Sequence, residues 1–386
     1  MKNNKITFVL LYIFGFFWAL SSALPAYIQS SYLEQFVGVG SVGLYITAAT
    51  FITLLAIFVY PRIIKKFTNY TTAVFFITLL LLTTLGLSAV ADKWLILIFF
   101  IFNFLSINLI FINVDVFLEN ISDTAHTGRI RTKFLTVINI AWFLSPLITG
   151  SITGQNAYSF VYLASALILL PALLIIFIQK RKFQDHNKYQ SRHFHQLLKV
   201  FKYDKNLAKI FKVSFILQFF YCVMVLYVPL YLHENFGFSW QDLGYMFTIM
   251  LLPFVIFQLP AGSLADRYFG EKEILTIGLI IMMTATGAIF FINSTSFLVW
   301  AAVLFMTRVG AALVEAMQDV YFFKIVNRQD MDLINLFRDL RPAAWLAGSL
   351  FSVGVLYLLP VQYLFLFLAV IVFISLRPAL SLKDTK

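Results

Sequence analysis

Long runs of residues without charge constrain the fold of this chain more than any other feature. The stretches 6–27, 75–90, 95–114 and 160–178 are nearly uncharged, and each is about as long as a helix that crosses a hydrocarbon core of roughly 30 Å. Across the chain 61% of the residues are hydrophobic and 12% are charged, against roughly 45–50% and 25% in soluble domains. These runs predict an all-α, polytopic membrane protein.

Loops separate twelve such runs, and we predict a transmembrane helix for each: 6–28, 41–60, 71–90, 94–118, 130–152, 157–179, 209–232, 243–263, 273–293, 296–321, 336–358 and 361–379. Of the 29 Lys and Arg residues, all but Lys93 and Arg308 fall on one side of this arrangement. Because basic residues accumulate in cytoplasmic loops, we expect both termini in the cytoplasm and a location in the plasma (inner) membrane. Topology and contact with membrane lipids then explain the net charge of +11, without a nucleic-acid partner.

The two halves of the chain repeat each other at an offset of 203–204 residues. Short matches join three pairs of predicted helices: 16–18 with 219–221, 25–27 with 229–231, 115–117 with 319–321, and 141–142 with 344–345. Such a repeat indicates a duplicated six-helix unit. The predicted domains are an N-terminal half (1–179), a cytoplasmic central loop (180–208) and a C-terminal half (209–386). Two such halves can rock about a site at the middle of the membrane.

The sequence predicts neither a metal site nor a cofactor nor an enzymatic activity. Cys222 is the single cysteine, and the loop histidines 186, 193 and 195 have no thiolate or carboxylate at ligand spacing. Zinc-peptidase, serine-hydrolase and nucleotide-binding motifs are absent from the sequence, which argues against a membrane enzyme and an ATP-driven pump. In the same loop, apolar residues at 194, 197, 198 and 201 recur at helical spacing and predict an amphipathic helix on the cytoplasmic leaflet.

The segment 262–272, Gly-Ser-Leu-Ala-Asp-Arg-Tyr-Phe-Gly-Glu-Lys, resembles the loop motif of the major facilitator superfamily, whose usual form is Gly-x-Leu-Ala-Asp-Arg-x-Gly-Arg-Lys. One residue is added before Gly270, and Glu271 stands where the family has Arg. The resemblance implies the fold of that family, with twelve helices in two pseudo-symmetric six-helix halves. It also implies a secondary active transporter that moves a small-molecule substrate by alternating access, and we expect it to be a monomer.

Charged side chains inside the predicted spans are the leading candidates for function, because a charge in hydrocarbon is costly. At 1.5 Å per residue, Arg308 lies about 18 Å from the outer end of its predicted helix, and Glu315 lies two turns further along the same face. A guanidinium group at this depth can hold a carboxylate or phosphate of a substrate, or it can form a structural pair with Glu315. Glu315 is the predicted proton-binding carboxylate and favours proton coupling, as symport or antiport.

Polar and aromatic residues near the predicted middle of the membrane are further candidates for contact with the substrate or the coupling ion. They are Trp18, Asn103, Asn108, Asn139, Trp142, Gln218, Tyr221 and Trp345. The amides are stronger candidates than the rings, because an unpaired amide in hydrocarbon costs several kcal/mol. Packing explains the rings equally well, and interhelical hydrogen bonds are the alternative explanation for the amides.

The family resemblance also implies a cytoplasmic gate, in which the Asp and Arg of the loop motif pair with charges at the inner ends of neighbouring helices. The residues concerned are Gly262, Asp266, Arg267, Asp319 and Lys324 in the second half, and Arg62, Asp115 and Glu119 in the first. Such a latch closes one face of a transporter and breaks as the other face closes.

Two other functions fit the same sequence. A facilitative uniporter moves its solute down a gradient and needs no titratable group. A receptor or scaffold that does not transport can also keep a transporter fold, because fold does not fix function. The retained charges at 308 and 315 disfavour the receptor.

Overall fold

The computed structural model describes residues 2–121, 127–153, 157–180, 204–257, 260, 265, 270–326 and 331–383. Regular structure in these residues is helical, with no strand among them, so the predicted all-α class is confirmed. The chain divides into two compact units, residues 1–190 and 191–386. The amphipathic helix predicted within the central loop and the loop-motif residues 262, 266 and 267 lie outside the described residues.

The first unit contains seven described helices: α1 (Lys2–Ala23), α2 (Gln29–Val37), α3 (Val39–Phe67), α4 (Asn69–Ala89), α5 (Lys93–Ile121), α6 (Thr127–Thr153) and α7 (Tyr158–Ile178). α1 packs against α6 and α7, α4 packs against α5 and α7, and α3 packs against α5. Apolar side chains of α1, α3, α4, α5, α6 and α7 form one buried core.

The second unit contains six described helices: α8 (Lys205–Phe236), α9 (Trp240–Ile256), α10 (Glu271–Phe291), α11 (Phe297–Ile325), α12 (Met331–Leu358) and α13 (Gln362–Leu380). α8 packs against α12 and α13, α10 packs against α11 and α13, and α9 packs against α11. These pairs repeat the packing order of the first unit, helix for helix, when α2 is left out. The pseudo-symmetry that the repeat predicts is therefore present within the two units.

Twelve of these helices overlap the twelve predicted runs, one each, and α2 is the additional one. Nine of the described helices are long and apolar enough to cross a membrane, while Thr7–Ala23 and Trp240–Ile256 are shorter apolar segments. The number of twelve spans stays a prediction.

Tertiary contacts hold α2, a short helix that hydropathy does not reveal. The hydroxyl of Tyr32 donates to the Leu87 carbonyl at 2.6 Å, and its ring lies 4.7 Å from that of Tyr162. Burial raises the pKa of Tyr32 to about 12, so the phenol stays neutral and remains a donor. These residues fall between the predicted spans 6–28 and 41–60, and a nine-residue helix is too short to cross a membrane.

Local capping fixes both ends of α8, the longest helix of the second unit. The Asp204 side chain accepts from the backbone N–H groups of Asn206 and Leu207 at its start. At its end Gly237 adopts a left-handed conformation with φ 69°, which glycine reaches without steric cost. Ser239 and Asp242 then form a capping box that begins α9.

A close contact between two glycines brings α10 and α11 together. A Cβ atom built on Gly310 would lie 2.5 Å from the Met282 nitrogen and 2.6 Å from the Gly278 carbonyl oxygen. Small residues allow such close approach between transmembrane helices, so this contact fixes the position of α11, which carries Arg308 and Glu315.

Gly310→Ala is expected to destabilise the protein by at least about 1–3 kcal/mol, because the added methyl group meets backbone atoms that cannot rotate away. Gly354→Ala in α12 is the matched control, since a Cβ there meets no atom within 4 Å. Thermal unfolding of the purified proteins measures the stability of both variants. Equal melting temperatures for the two variants would show that the α10–α11 contact is looser than described.

Candidate functional site

A cluster of charged and aromatic side chains lies inside the second unit, on helices α8 and α11. The hydroxyl of Tyr221 donates to Oε2 of Glu315 at 2.7 Å. The guanidinium of Arg308 lies 5.3 Å from the ring centre of Phe220 and 5.3 Å from that of Tyr221. The structure thus brings together three residues that the sequence predicted separately: Arg308, Glu315 and Tyr221.

Helical spacing and packing explain this geometry. Arg308 and Glu315 are seven residues apart, two turns of a helix, and so lie on one face of α11. α8 packs against α11, and the adjacent rings of Phe220 and Tyr221 lie on α8. An arginine placed against aromatic ring faces gains cation–π attraction, which is larger where water is excluded.

Arg308 is buried, with 2% of its surface exposed, yet it does not form the structural pair with Glu315 that we considered as an alternative. Among the described residues, no hydrogen bond or ion pair engages its guanidinium, and its buried Nε has no acceptor. Its charge acts on Glu315 only through space. The ring contacts therefore hold the side chain while its N–H donors stay unused by the described residues.

Arg341 is a member of this cluster that the sequence analysis missed. It counted among the cytoplasmic basic residues, but it lies ten residues into α12. Its guanidinium is 5.7 Å from the ring centre of Trp345, and its charge acts on Glu315. The signal that identifies it is the spacing of four residues to Trp345, which puts the two side chains on one helix face.

Trp345 and Gln218 are the two remaining residues of the second unit that were predicted to contact the substrate or the coupling ion. Trp345 is buried, and its carbonyl accepts from the Cys222 thiol at 3.5 Å. Gln218 lies on α8, two residues before Phe220 and three before Tyr221, and is partly buried.

The predicted amides of the first unit are used mainly in helix contacts. Asn103 donates to the Thr84 hydroxyl at 2.8 Å and to the Thr83 hydroxyl at 3.3 Å, which joins α5 to α4. Asn108 donates to the Phe104 carbonyl of its own helix at 2.8 Å. Asn139 lies exposed on α6. Interhelical bonding, the alternative explanation, thus accounts for the contacts of Asn103.

The predicted tryptophans of the first unit differ in their surroundings. Trp18 is buried, its ring lies 5.9 Å from that of Phe111, and its indole Nε1 has no acceptor among the described residues. Trp142 is partly buried on α6 and packs against the core of the first unit.

Asn113 forms the densest polar contact of the first unit, and the sequence analysis did not select it. Its side chain accepts from the Tyr60 hydroxyl at 2.7 Å and donates to Oδ1 of Asn69 at 2.7 Å and to the Thr72 hydroxyl at 3.0 Å. Asn69 donates in turn to the Asn113 carbonyl at 3.1 Å. This fully buried network joins α3, α4 and α5.

A family model of the Major Facilitator Superfamily matches residues 6–337. The chain belongs to this superfamily. Among solved structures, it is similar to the crystal structure of a mutant of the nucleoside transporter NupG, with a TM-score of 0.76 and 14% sequence identity over 97% of this chain and 99% of that one. No curated protein sequence matches the chain. A likeness at this identity shows the fold alone.

Membership in the superfamily establishes the coarse identity of the protein. It is a multi-pass membrane protein with the fold of a transporter, and its family implies a small molecule as the substrate. Family and fold point to transport rather than to an enzyme. Within the described residues no group of His, Cys, Asp or Glu is arranged to hold a metal ion.

The loop-motif segment of this chain contains a buried acidic residue, Glu271, where the family pattern has Arg. The carboxylate of Glu271, the first residue of α10, forms an ion pair with the Lys324 ammonium of α11. Only 1% of the Glu271 side chain is exposed, against 39% for Lys324. The positive end of the α10 dipole also favours a carboxylate at this position.

The other predicted gate residues have less defined surroundings. Asp319 is partly buried on α11, and its charge acts on Tyr221. Asp115 is partly buried on α5, and Arg62 is exposed on α3. The side chain of Glu119 lies outside the described residues, as do the loop-motif residues already named. The role of all these residues as a gate stays a prediction.

Lys324→Met is expected to lower the stability of the protein by about 2 kcal/mol, because it leaves the buried Glu271 carboxylate without this cation. Lys212→Met, an exposed position on α8, is the control and should change little. A melting temperature for Lys324→Met equal to that of the control would mean that this ion pair does not stabilise the protein.

Proposed function

We propose that this protein is a secondary active transporter of the plasma membrane that moves a small solute by alternating access and couples it to protons, by symport or antiport. The observation that carries the proposal is the Glu315 carboxylate inside an apolar helix, where the Tyr221 hydroxyl donates to it at 2.7 Å. An ionisable group at such a position is costly and is typically retained for function.

Glu315 is the proposed proton site, and Arg308 is the proposed substrate contact. A carboxylate that gains or loses a proton changes the charge beside Arg308, whose charge already acts on it. Binding of the proton and binding of the substrate are thereby linked, which is the requirement for coupled transport. Trp18, Gln218, Tyr221 and Trp345 are proposed as further contacts of the solute or the ion.

The cytoplasmic gate is part of the same proposal. Asp319, Lys324 and the loop-motif residues in the second half, with Arg62, Asp115 and Glu119 in the first, are proposed to latch the cytoplasmic side. The ion pair between Lys324 and Glu271 supports the proposal that charged residues at this end of α11 take part in the gate. In the first unit α4 begins with Asn69, which bonds to Asn113 of α5 through neutral amides, so the contact between the corresponding helices carries no charge there.

A facilitative uniporter and a receptor on the same fold are the alternatives, and one experiment separates the three. The full chain is reconstituted in proteoliposomes, and uptake of a labelled ligand found by binding is followed with and without an imposed pH gradient. Coupled transport predicts accumulation that an uncoupler abolishes. Uptake that stops at equal concentrations would favour the uniporter, and binding without uptake would favour the receptor.

A further inference from the structure

The unused donors of Arg308 indicate what kind of ligand the site requires. A guanidinium carries five N–H donors and no acceptor, and among the described residues none accepts from Arg308, whose surface is 2% exposed. A buried charged group without hydrogen bonds is destabilising, and the Arg308 Nε is such a buried donor. A ligand that brings acceptor oxygens to this group would relieve that cost.

The ring contacts leave the fork of the guanidinium available. Phe220 and Tyr221 each lie 5.3 Å from the Arg308 guanidinium carbon, and contact with ring faces does not use the in-plane N–H groups. The planar fork of arginine matches the two oxygens of a carboxylate or phosphate group. Tyr221, another hydrogen-bond donor of the cluster, is already bonded to Glu315.

Arg341 adds a second positive charge to the same cluster. It has solvent-accessible surface, lies over the ring of Trp345 at 5.7 Å, and forms no ion pair with a described residue. Both arginine charges act on Glu315, yet neither guanidinium is hydrogen-bonded to its carboxylate among the described residues. Arg308 and Arg341 thus lie near Glu315, which Tyr221 already engages, while the Asp319 carboxylate acts on Tyr221. Because neither guanidinium is hydrogen-bonded to a carboxylate of a described residue, both are available to bind a further anion.

We propose that the substrate of this site is a small organic anion whose carboxylate or phosphate group accepts two hydrogen bonds from Arg308, with Arg341 as the second cation that selects for negative charge. This inference rests on one part of the proposed function, namely that the cluster is the site at which the transporter binds its solute. A neutral solute leaves the Arg308 fork without a charged acceptor and binds more weakly.

Binding to the purified full-length protein in detergent tests this inference without any gradient. Melting temperatures are measured with three matched pairs, lactate against lactamide, benzoate against benzamide, and glycerol 3-phosphate against glycerol, and with uridine as a neutral nucleoside. We expect at least one anion to stabilise the wild type while its neutral partner does not. Comparison of lactate and benzoate with glycerol 3-phosphate identifies whether a carboxylate or a phosphate is preferred.

The variants assign the effect to named residues. Arg308→Gln and Arg341→Gln are each expected to weaken binding of that anion by about 10- to 100-fold, whereas Arg308→Lys keeps the charge but loses the fork and binds with intermediate affinity. Arg377→Gln, in the last turn of α13, removes an equal charge elsewhere and should bind like the wild type. Melting without ligand shows whether each variant is folded.

Stabilisation by neutral partners alone, by no oxyanion at all, or equally in the folded Arg308→Gln protein would overturn the inference. Because these measurements use no proton gradient, anion binding without coupled uptake would overturn proton coupling and leave the assignment of the substrate class standing.

Discussion

The Glu315→Gln variant is expected to exchange substrate across the membrane but to lose accumulation against a concentration gradient. The amide has nearly the same volume, and its oxygen can still accept the hydrogen bond from Tyr221 that measures 2.7 Å in the native protein. It cannot take up or release a proton. With one proton moved per substrate, a gradient of one pH unit should support about tenfold accumulation by the wild type and none by the variant.

Glu234→Gln is the matched control for this prediction. Glu234 is exposed near the end of α8, on the same helix as Tyr221, and its substitution removes the same charge without reaching the cluster. Its accumulation should equal that of the wild type. Full accumulation by Glu315→Gln in proteoliposomes with an imposed pH gradient would exclude Glu315 as the coupling group.

Asn113→Leu is expected to cause the largest loss of stability among the polar substitutions of the first unit, about 2–4 kcal/mol. The leucine removes four side-chain hydrogen bonds and takes partners from Tyr60, Asn69 and Thr72, all of them buried. A single hydrogen bond between membrane helices is worth about 0.6–2 kcal/mol, and leaving the Tyr60 donor and the Asn69 and Thr72 acceptors without Asn113 adds to that cost.

Asn108→Leu is the matched control, because it makes the same substitution on the same helix. It distinguishes the loss of the Asn113 network from the general effect of replacing an asparagine by leucine. Among the described residues the Asn108 amide bonds only to the carbonyl of Phe104 on α5, so its loss strands no described group on another helix. Thermal unfolding should place Asn108→Leu within about 1 kcal/mol of the wild type. Equal destabilisation by the two variants would contradict a central role for Asn113 in joining α3, α4 and α5.

Charge and depth within a predicted span were enough to select Arg308 and Glu315 from the sequence, but not the cluster that they form. An arginine and a glutamate two turns apart inside an apolar run must share a helix face, so Arg308 and Glu315 could be selected without a structure. Tyr221 was selected for its place near the predicted middle of the membrane, but its bond to Glu315 depends on how α8 packs against α11. No periodicity in either helix specifies that contact.

The residues that the sequence analysis missed depend on contacts between distant segments. Arg341 was counted with the cytoplasmic charges because α12 begins in a polar stretch, and only the packed helix brings its charge to act on Glu315. Asn113 gains its importance from Asn69 and Tyr60, which lie 44 and 53 residues away in the chain. α2 forms because Tyr32 bonds to the end of α4, a contact that hydropathy cannot predict.

Simultaneous recording of proton and substrate movement in proteoliposomes tests most directly the claim that the cluster on α11 couples a solute to protons. A trapped pH-sensitive dye reports protons while a labelled ligand reports uptake, for the wild type and for Glu315→Gln. We predict that addition of the ligand moves protons in a fixed ratio to substrate in the wild type, and that the variant exchanges substrate without moving protons. Ligand uptake by the wild type with no change in the dye signal would contradict the account.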